Sequence, residues 1–255
     1  MRAGPAALLA ALTLAACAEP PRPALPDGLA IRADTVEIRD DRVRYTARIA
    51  YPQAVAPGGA ALPPSVAAAN RVLADSVRAF ALAVRPSDAP PAEDTTYAVA
   101  VAGGYDAAFL GGGWLSALVT IVVDTGGSDG NVFLQPMTVD LTTGGAVRLG
   151  DLFAPNAPYG GVLAERVERA VVDRLARRLG VPRAEARARA FAPSGLASLQ
   201  AGDAAFTLGA DSLYLHVLPN ELASGATEVV TVGVPYGALA RFARRGGAVR
   251  ELAAQ

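Results

Sequence analysis

WLSALVTIVVDTGGSDGNVFLQPMTVDLTTGGAVRLGDLF, residues 114–153, is the stretch on which the fold turns. Leu115 to Val123 is apolar almost throughout, the pattern of a central strand covered on both faces. Val132, Leu134, Met137, Val139 and Leu141 mark its antiparallel partner, with an irregularity expected at Pro136 because proline has no donor for the ladder. Between the two strands lies Asp124-Thr125-Gly126-Gly127-Ser128-Asp129-Gly130-Asn131, a segment of turn-forming residues. Thr142-Thr143-Gly144-Gly145 reads as a second tight turn, leading into a strand at Val147 to Leu149.

Upstream, Val36 and Ile38 alternate with charged neighbours, Asp40-Asp41 forms a turn, and Val43, Tyr45, Ala47 and Ile49 share a face. This predicts a β-hairpin with one solvated face, stopped by Tyr51-Pro52-Gln53. Pro63-Pro64-Ser65 opens a helix to about Val84, with Val66, Leu73, Val77, Phe80 and Val84 on its packed side. Residues 85–94 form a polar loop, and Thr95 to Val101 alternates as a strand that Gly103-Gly104 bends. Downstream, Tyr159 to Leu179 is a second long helix with Gly180 as its stop, and Val162, Val167, Val171, Leu175 and Leu179 form its stripe. Its arginines are interleaved with acids, as on a solvated face. A short helix at Arg183 to Phe191 comes next, then strands at Phe206 to Leu208, Leu213 to Leu218 and Glu228 to Val234. A final helix runs from Pro235 through Phe242, and fraying is expected from Arg244 onward. The expected class is α+β: antiparallel sheets packed with two long helices.

The 255 residues are 52% hydrophobic and 18% charged, enough apolar surface for one good-sized core or two small ones. All 23 cationic side chains are Arg, and the net charge of -1 gives no footprint for nucleic acid. Arg2 followed by the apolar run Ala6 to Ala16 has the form of an export signal, too short for a permanent span. It ends in Leu14-Ala15-Ala16-Cys17, which resembles the bacterial lipobox; Cys17, the single cysteine, is then the lipidation site, leaving neither a free thiol nor a disulfide. The prolines of AEPPRPALPD, residues 18–27, suit a tether, and Ala18 in place of Asp after the cysteine favours the outer membrane where a cell has two. The chain thus divides into a lipoprotein signal at 1–16, a Pro-rich tether at 17–28, an N-terminal α+β subdomain at 29–94, a C-terminal subdomain at 95–245 and a tail at 246–255.

The order of several landmarks resembles the PdaC/RsiV-like family of bacterial exported domains, found beside peptidoglycan deacetylases and in a lysozyme-sensing anti-sigma factor. These are Tyr51-Pro52-Gln53 before a helix carrying Asn70, then Thr125-Gly126-Gly127 and Asp140-Leu141-Thr142-Thr143-Gly144. Leu149-Gly150-Asp151-Leu152-Phe153, a long helix and Val234-Pro235-Tyr236-Gly237-Ala238-Leu239 complete the series. Two places depart from it: Ser128-Asp129 stands where the family has Ala-His, and Pro219 to Gly225 replaces an aromatic motif. The resemblance implies the two-subdomain fold, a place in the cell envelope, and peptidoglycan or a lysozyme-type protein as partner.

No catalytic constellation and no cofactor motif stands out. His216 is the only histidine, sharing a strand face with Tyr214 and Leu218, and a structural role is expected for it. A histidine-paired zinc site is excluded, and no Gly-x-Ser-x-Gly elbow occurs. Asp124, Thr125, Gly126, Gly127, Ser128, Asp129 and Asn131 form the candidate ligand contact, although their spacing does not match the calcium-loop pattern and a plain turn uses the same residues. Three functions fit: a non-enzymatic lipid-anchored binding module, a wall-glycan hydrolase or deacylase using Asp124, Asp129 or Glu221 as acid and base, and a purely structural lipoprotein.

Overall fold

The computed structural model describes residues 24–89, 98–126, 130–191, 196–218, 221–222 and 229–255, and begins with the expected hairpin. Strands β1 (Ala30–Asp40) and β2 (Tyr45–Val55) pair antiparallel, from Ala30 opposite Val55 to Asp40 opposite Tyr45. A 3-10 turn at Asp41–Val43 joins them, with the Asp40 carboxylate accepting the Arg42 N–H. Val43, Tyr45, Ala47 and Ile49 are all buried. The strand does not stop at Tyr51-Pro52-Gln53. It continues to Val55, because β2 meets its other neighbour only as far as Ile49, and at Pro52 one side of the strand is open where a missing donor is tolerated.

Helix α1 (Pro64–Ala83) starts on a proline, whose absent N–H needs no partner there, and buries Val66, Ala69, Asn70, Leu73, Val77 and Ala81. Asn70 Oδ1 accepts the Ala54 N–H at 3.0 Å and its Nδ2 donates to the Ala54 carbonyl at 2.8 Å. The amide stands in for a strand where β2 has none. After α1, β3 (Val99–Gly111) returns parallel to β2, from Tyr45 opposite Val99 to Ile49 opposite Gly103. The first sheet is therefore mixed rather than wholly antiparallel, as a helical crossover requires. Gly112 and Gly113, both at positive φ, make the two-residue turn into β4 (Trp114–Asp124), and β5 (Asn131–Asp140) completes the order β1-β2-β3-β4-β5.

Pro136 causes no irregularity: it sits opposite Leu118 in unbroken register, because β5 is the sheet's edge strand and a proline can turn its donorless side outward. The ladder breaks instead in β3, between Tyr105 and Ala108. Leu115, Val119 and Ile121 of β4 pack in the cluster with α1, while Trp114 and Ser116 are buried on the opposite face. Farther along that second face Val122 is exposed. Val132 pairs with it and is exposed too, so the expected inward row holds for Met137 and Val139 but not for Val132.

Past β5 the Thr142-Thr143-Gly144-Gly145 turn doubles back, but only Ala146 bridges to Val139; Leu149–Leu152 is a 3-10 turn and not a strand. Helix α2 (Tyr159–Leu179) ends on Gly180 at φ 65°, as its sequence dictates, burying Leu163, Val167 and Val171 while Leu179 is exposed. Short helices α3 (Arg183–Ala188) and α4 (Ala197–Ala201) lead to a second, antiparallel sheet of β6 (Phe206–Leu208), β7 (Ser212–Val217) and β8 (Val230–Pro235). Helix α5 (Tyr236–Leu239) follows, and the expected frayed tail is instead a docked turn, α6 (Ala248–Leu252). Ala248, Val249 and Leu252 are buried there, one apolar face of a helical turn seated on the core.

The fold is α+β, with one long helix on each sheet. One apolar cluster runs from Val36 to Leu141 and takes Leu25 and Leu29 at its margin; the other takes Trp114 and then Leu149 through Leu252. The polar loop at 85–89 lies within the span of the first cluster, so the two cores part after Leu141.

Candidate functional site

The described residues of the turn singled out in the sequence lie at the end of β4 and the start of β5, at an exposed end of the first sheet. Asp124 Oδ1 accepts the Gly126 N–H at 2.8 Å, an Asx turn, and Asn131 pairs with Val123 at the start of β5. Asp124, Thr125, Gly126 and Asn131 are all exposed. Gly127, Ser128 and Asp129 lie outside the described residues, as does Cys17. Among the described residues no three His, Cys, Asp or Glu side chains converge as metal ligands. Glu221, the other acid considered for chemistry, holds a loop: it accepts the Ser198 hydroxyl at 2.5 Å and the Leu218 N–H at 2.9 Å.

The geometry with more chemical content is where the two sheets meet. Ser116 of β4 and Thr138 of β5 share a buried hydrogen bond of 2.7 Å, and Ser116 Oγ accepts the Leu208 N–H of β6 at 2.8 Å. This bond pins the short edge of the second sheet to the outer face of the first. Beside it opens a cleft of about 490 Å³. One wall is the broken part of β3, Asp106 to Phe109, with Leu118 and Thr120 of β4; the other is Thr207, Gly209, Tyr214 and His216. The odd residues of β7, Leu213, Leu215 and Val217, face the α2 core, which turns Tyr214 and His216 toward the cleft.

His216 is buried with its ring between two hydroxyls: Nε2 lies 2.9 Å from Thr207 Oγ1 and Nδ1 3.1 Å from Thr231 Oγ1. Burial without a carboxylate partner disfavours the imidazolium and lowers its pKa to about 4, so the ring is neutral at pH 7. The structural role expected for it is what its contacts describe. Tyr214 is wedged between two glycines: a Cβ on Gly209 would lie 2.4 Å from its Cε2, and one on Gly233 3.2 Å from its Cε1. Sequence reading placed Tyr214 on the face of His216 but gave it no role, and passed over Thr120, Thr207 and Asp106. The glycines flanking Tyr214 were the available signal, but their partner is a ring, not a turn.

The landmarks that carried the resemblance are architectural. Asn70 completes β2; Asp140 Oδ1 accepts from the Thr142 N–H at 2.8 Å and from its hydroxyl at 2.6 Å. Gly144, at φ 80°, passes so close to α1 that a Cβ would lie 2.7 Å from both Ala68 Cβ and the Ser65 carbonyl. Asp151 accepts the Arg148 N–H at 2.8 Å. The Tyr236 phenol donates to the Gly209 carbonyl at 2.8 Å and accepts the Gly209 N–H at 3.2 Å, and burial pushes its pKa well up. Each closes a turn or an open edge.

No family model matches the chain, and no curated protein sequence does. Among solved structures, it is similar to a member of the DUF3298 family from Bacteroides fragilis, with a TM-score of 0.53 and 12% identity over 89% of this chain and 98% of that one. A DUF3298 family protein from Pseudomonas aeruginosa PAO1 is similar too, with a TM-score of 0.56 and 11% identity over 86% of this chain and 96% of that one. The protein has the α+β fold of these DUF3298 structures.

Proposed function

We propose that the protein is an exported lipoprotein of PdaC/RsiV-like type, anchored through acyl chains on Cys17, whose α+β domain is a non-enzymatic binding module for a cell-wall component or a lysozyme-like protein. The observation that carries this reading is Leu14-Ala15-Ala16-Cys17 after an apolar run, followed directly by four prolines in ten residues, 18–27. Small residues before a cysteine are what a lipoprotein signal peptidase accepts. Several acyl chains hold a protein on a bilayer where one is marginal. The Pro-rich segment extends at about 3.1 Å per residue and would carry the domain clear of the membrane surface. DUF3298 neighbours that span nearly the whole described fold support the family resemblance. The outer membrane is the favoured site in a cell with two, by Ala18.

A hydrolase reading draws no support from Asp124 or Glu221, which are engaged in holding backbone, and its third acid, Asp129, lies outside the described residues. The test is fractionation of cells making the wild type and Cys17→Ala. The wild type is expected in the membrane fraction with an acyl-bearing N-terminal peptide by mass spectrometry, and the variant in the soluble fraction. An unacylated wild type would remove the anchor. Pull-down on purified sacculi and on lysozyme tests the binding role, and failure of both would remove it.

A further inference from the structure

We infer that the cleft between the two sheets is a binding site for a neutral saccharide, with the Tyr214 ring as its stacking platform. This deepens the wall-binding reading and rests on it for the source of the sugar. Four observations converge. The cleft, about 490 Å³, is of the size of small-molecule sites, which run from about 300 to 1,000 Å³. Its aromatic wall is pre-set: Gly209 and Gly233 leave room for Tyr214 that any side chain would fill, so the ring needs no ordering when a ligand arrives. The walls also carry polar groups that no protein partner takes up. Among the described residues, the Tyr214 phenol and the Thr120 hydroxyl make no hydrogen bond, and the break in β3 lifts Asp106 out of the ladder at the cleft mouth.

The fourth observation is charge. The chain carries 23 arginines, yet none lines this cleft. His216, its one basic side chain, is neutral at pH 7 and tied to Thr207 and Thr231. An anionic ligand would meet only the Asp106 carboxylate and be repelled. A metal ion would find one carboxylate where it needs several oxygens. A purely apolar ligand would strand the hydroxyls. A sugar ring answers all three constraints: its C–H face lies on the aromatic, its hydroxyls take donors and acceptors from Thr120, Tyr214 and Asp106, and it has no charge. Ala108 and Leu118 supply an apolar patch beside them, as a small methyl-bearing substituent would require.

The experiment is isothermal titration calorimetry of the purified full chain with three β-1,4-linked disaccharides: di-N-acetylated glucosamine (neutral), its de-N-acetylated form (cationic), and one carrying a carboxylate. The neutral disaccharide is expected to bind, the carboxylate form to bind at least tenfold more weakly, and the cationic form no more tightly than the neutral. Tyr214→Ala should weaken binding roughly tenfold, the loss of a stacked ring. Because that variant also empties the space over the glycines, Asp106→Asn and Thr120→Ala are measured beside it; each is exposed or half-buried and each should weaken binding several-fold with an unchanged thermal transition. Absence of heat with the neutral sugar, tighter binding of the cationic or anionic form, or indifference to all three substitutions would overturn the proposal. Sacculus pull-down separates this from the parent reading: wild type retained on sacculi without saccharide binding leaves wall binding standing and removes the cleft, whereas saccharide binding without sacculus retention keeps the cleft and removes the wall.

Discussion

Replacing Asn70 by alanine should be among the most damaging single changes in the first half of the chain. The side chain makes two hydrogen bonds, 3.0 Å from the Ala54 N–H and 2.8 Å to the Ala54 carbonyl, at a residue with no exposed surface. In the alanine variant both backbone groups stay buried without a partner, and water reaches them only if β2 pulls away from α1. An unsatisfied buried donor or acceptor costs about 1–3 kcal/mol, so the pair together should cost roughly 2–5 kcal/mol. For a domain of this size 1 kcal/mol moves the midpoint by about 2–4 °C, so the thermal transition should fall by roughly 5–15 °C. Urea denaturation followed by circular dichroism measures it, with the m-value as a check that the unfolded reference has not changed. Asn70→Asp is the sharper companion: a carboxylate can still accept from the N–H but faces the carbonyl with no donor, so it should recover stability only as it is protonated. A loss below about 1 kcal/mol in Asn70→Ala would refute the reasoning, because it would mean that the bonds are replaced at no cost.

Three further outcomes follow from the same geometry. Gly144→Ala should destabilise by roughly 2–4 kcal/mol in the same assay, since the added methyl meets the Ser65 carbonyl and the Ala68 methyl at 2.7 Å and the backbone is left-handed. Ser116→Ala removes the acceptor of Leu208 N–H and the partner of the Thr138 hydroxyl, and should cost about 1–3 kcal/mol and loosen amide exchange at Leu208 first. His216 sets an acid limb: its folded pKa of about 4 lies below the unfolded value of 6.5, so the unfolded chain binds the proton first. Stability is whole above pH 6.5 and falls as pH drops toward 4, by up to about 3 kcal/mol, after which this residue adds no further slope. A His216→Gln variant should lack that limb in denaturation curves taken between pH 7 and 4.

Local chemistry determined much of this protein on its own. The hairpin of Val36 to Ile49, the limits of α1 and α2 and the strands of the second sheet follow from period, capping glycines and prolines, all of which act within a few residues. Long-range pairing was not legible. Pro52 and Pro136 read as breaks because a proline lacks a donor, and only the neighbouring strands decide whether a donor is missed there. The tail looked loose because its three apolar residues mean nothing until the core offers them a seat. The 124–131 turn drew attention because acids and amides are what both ligand sites and plain turns contain. Its described residues lie at an exposed sheet end, with Asp124 bonded to its own turn. The cleft could not be read at all: its walls come from segments joined by a hydrogen bond between residues 92 apart, and a serine, two threonines and a tyrosine are unremarked in any sequence until folding brings them to one surface. Sequence sets which elements form, because their energies are local. Tertiary structure alone decides which side chains share a cavity and which of their polar groups are left to bind something else.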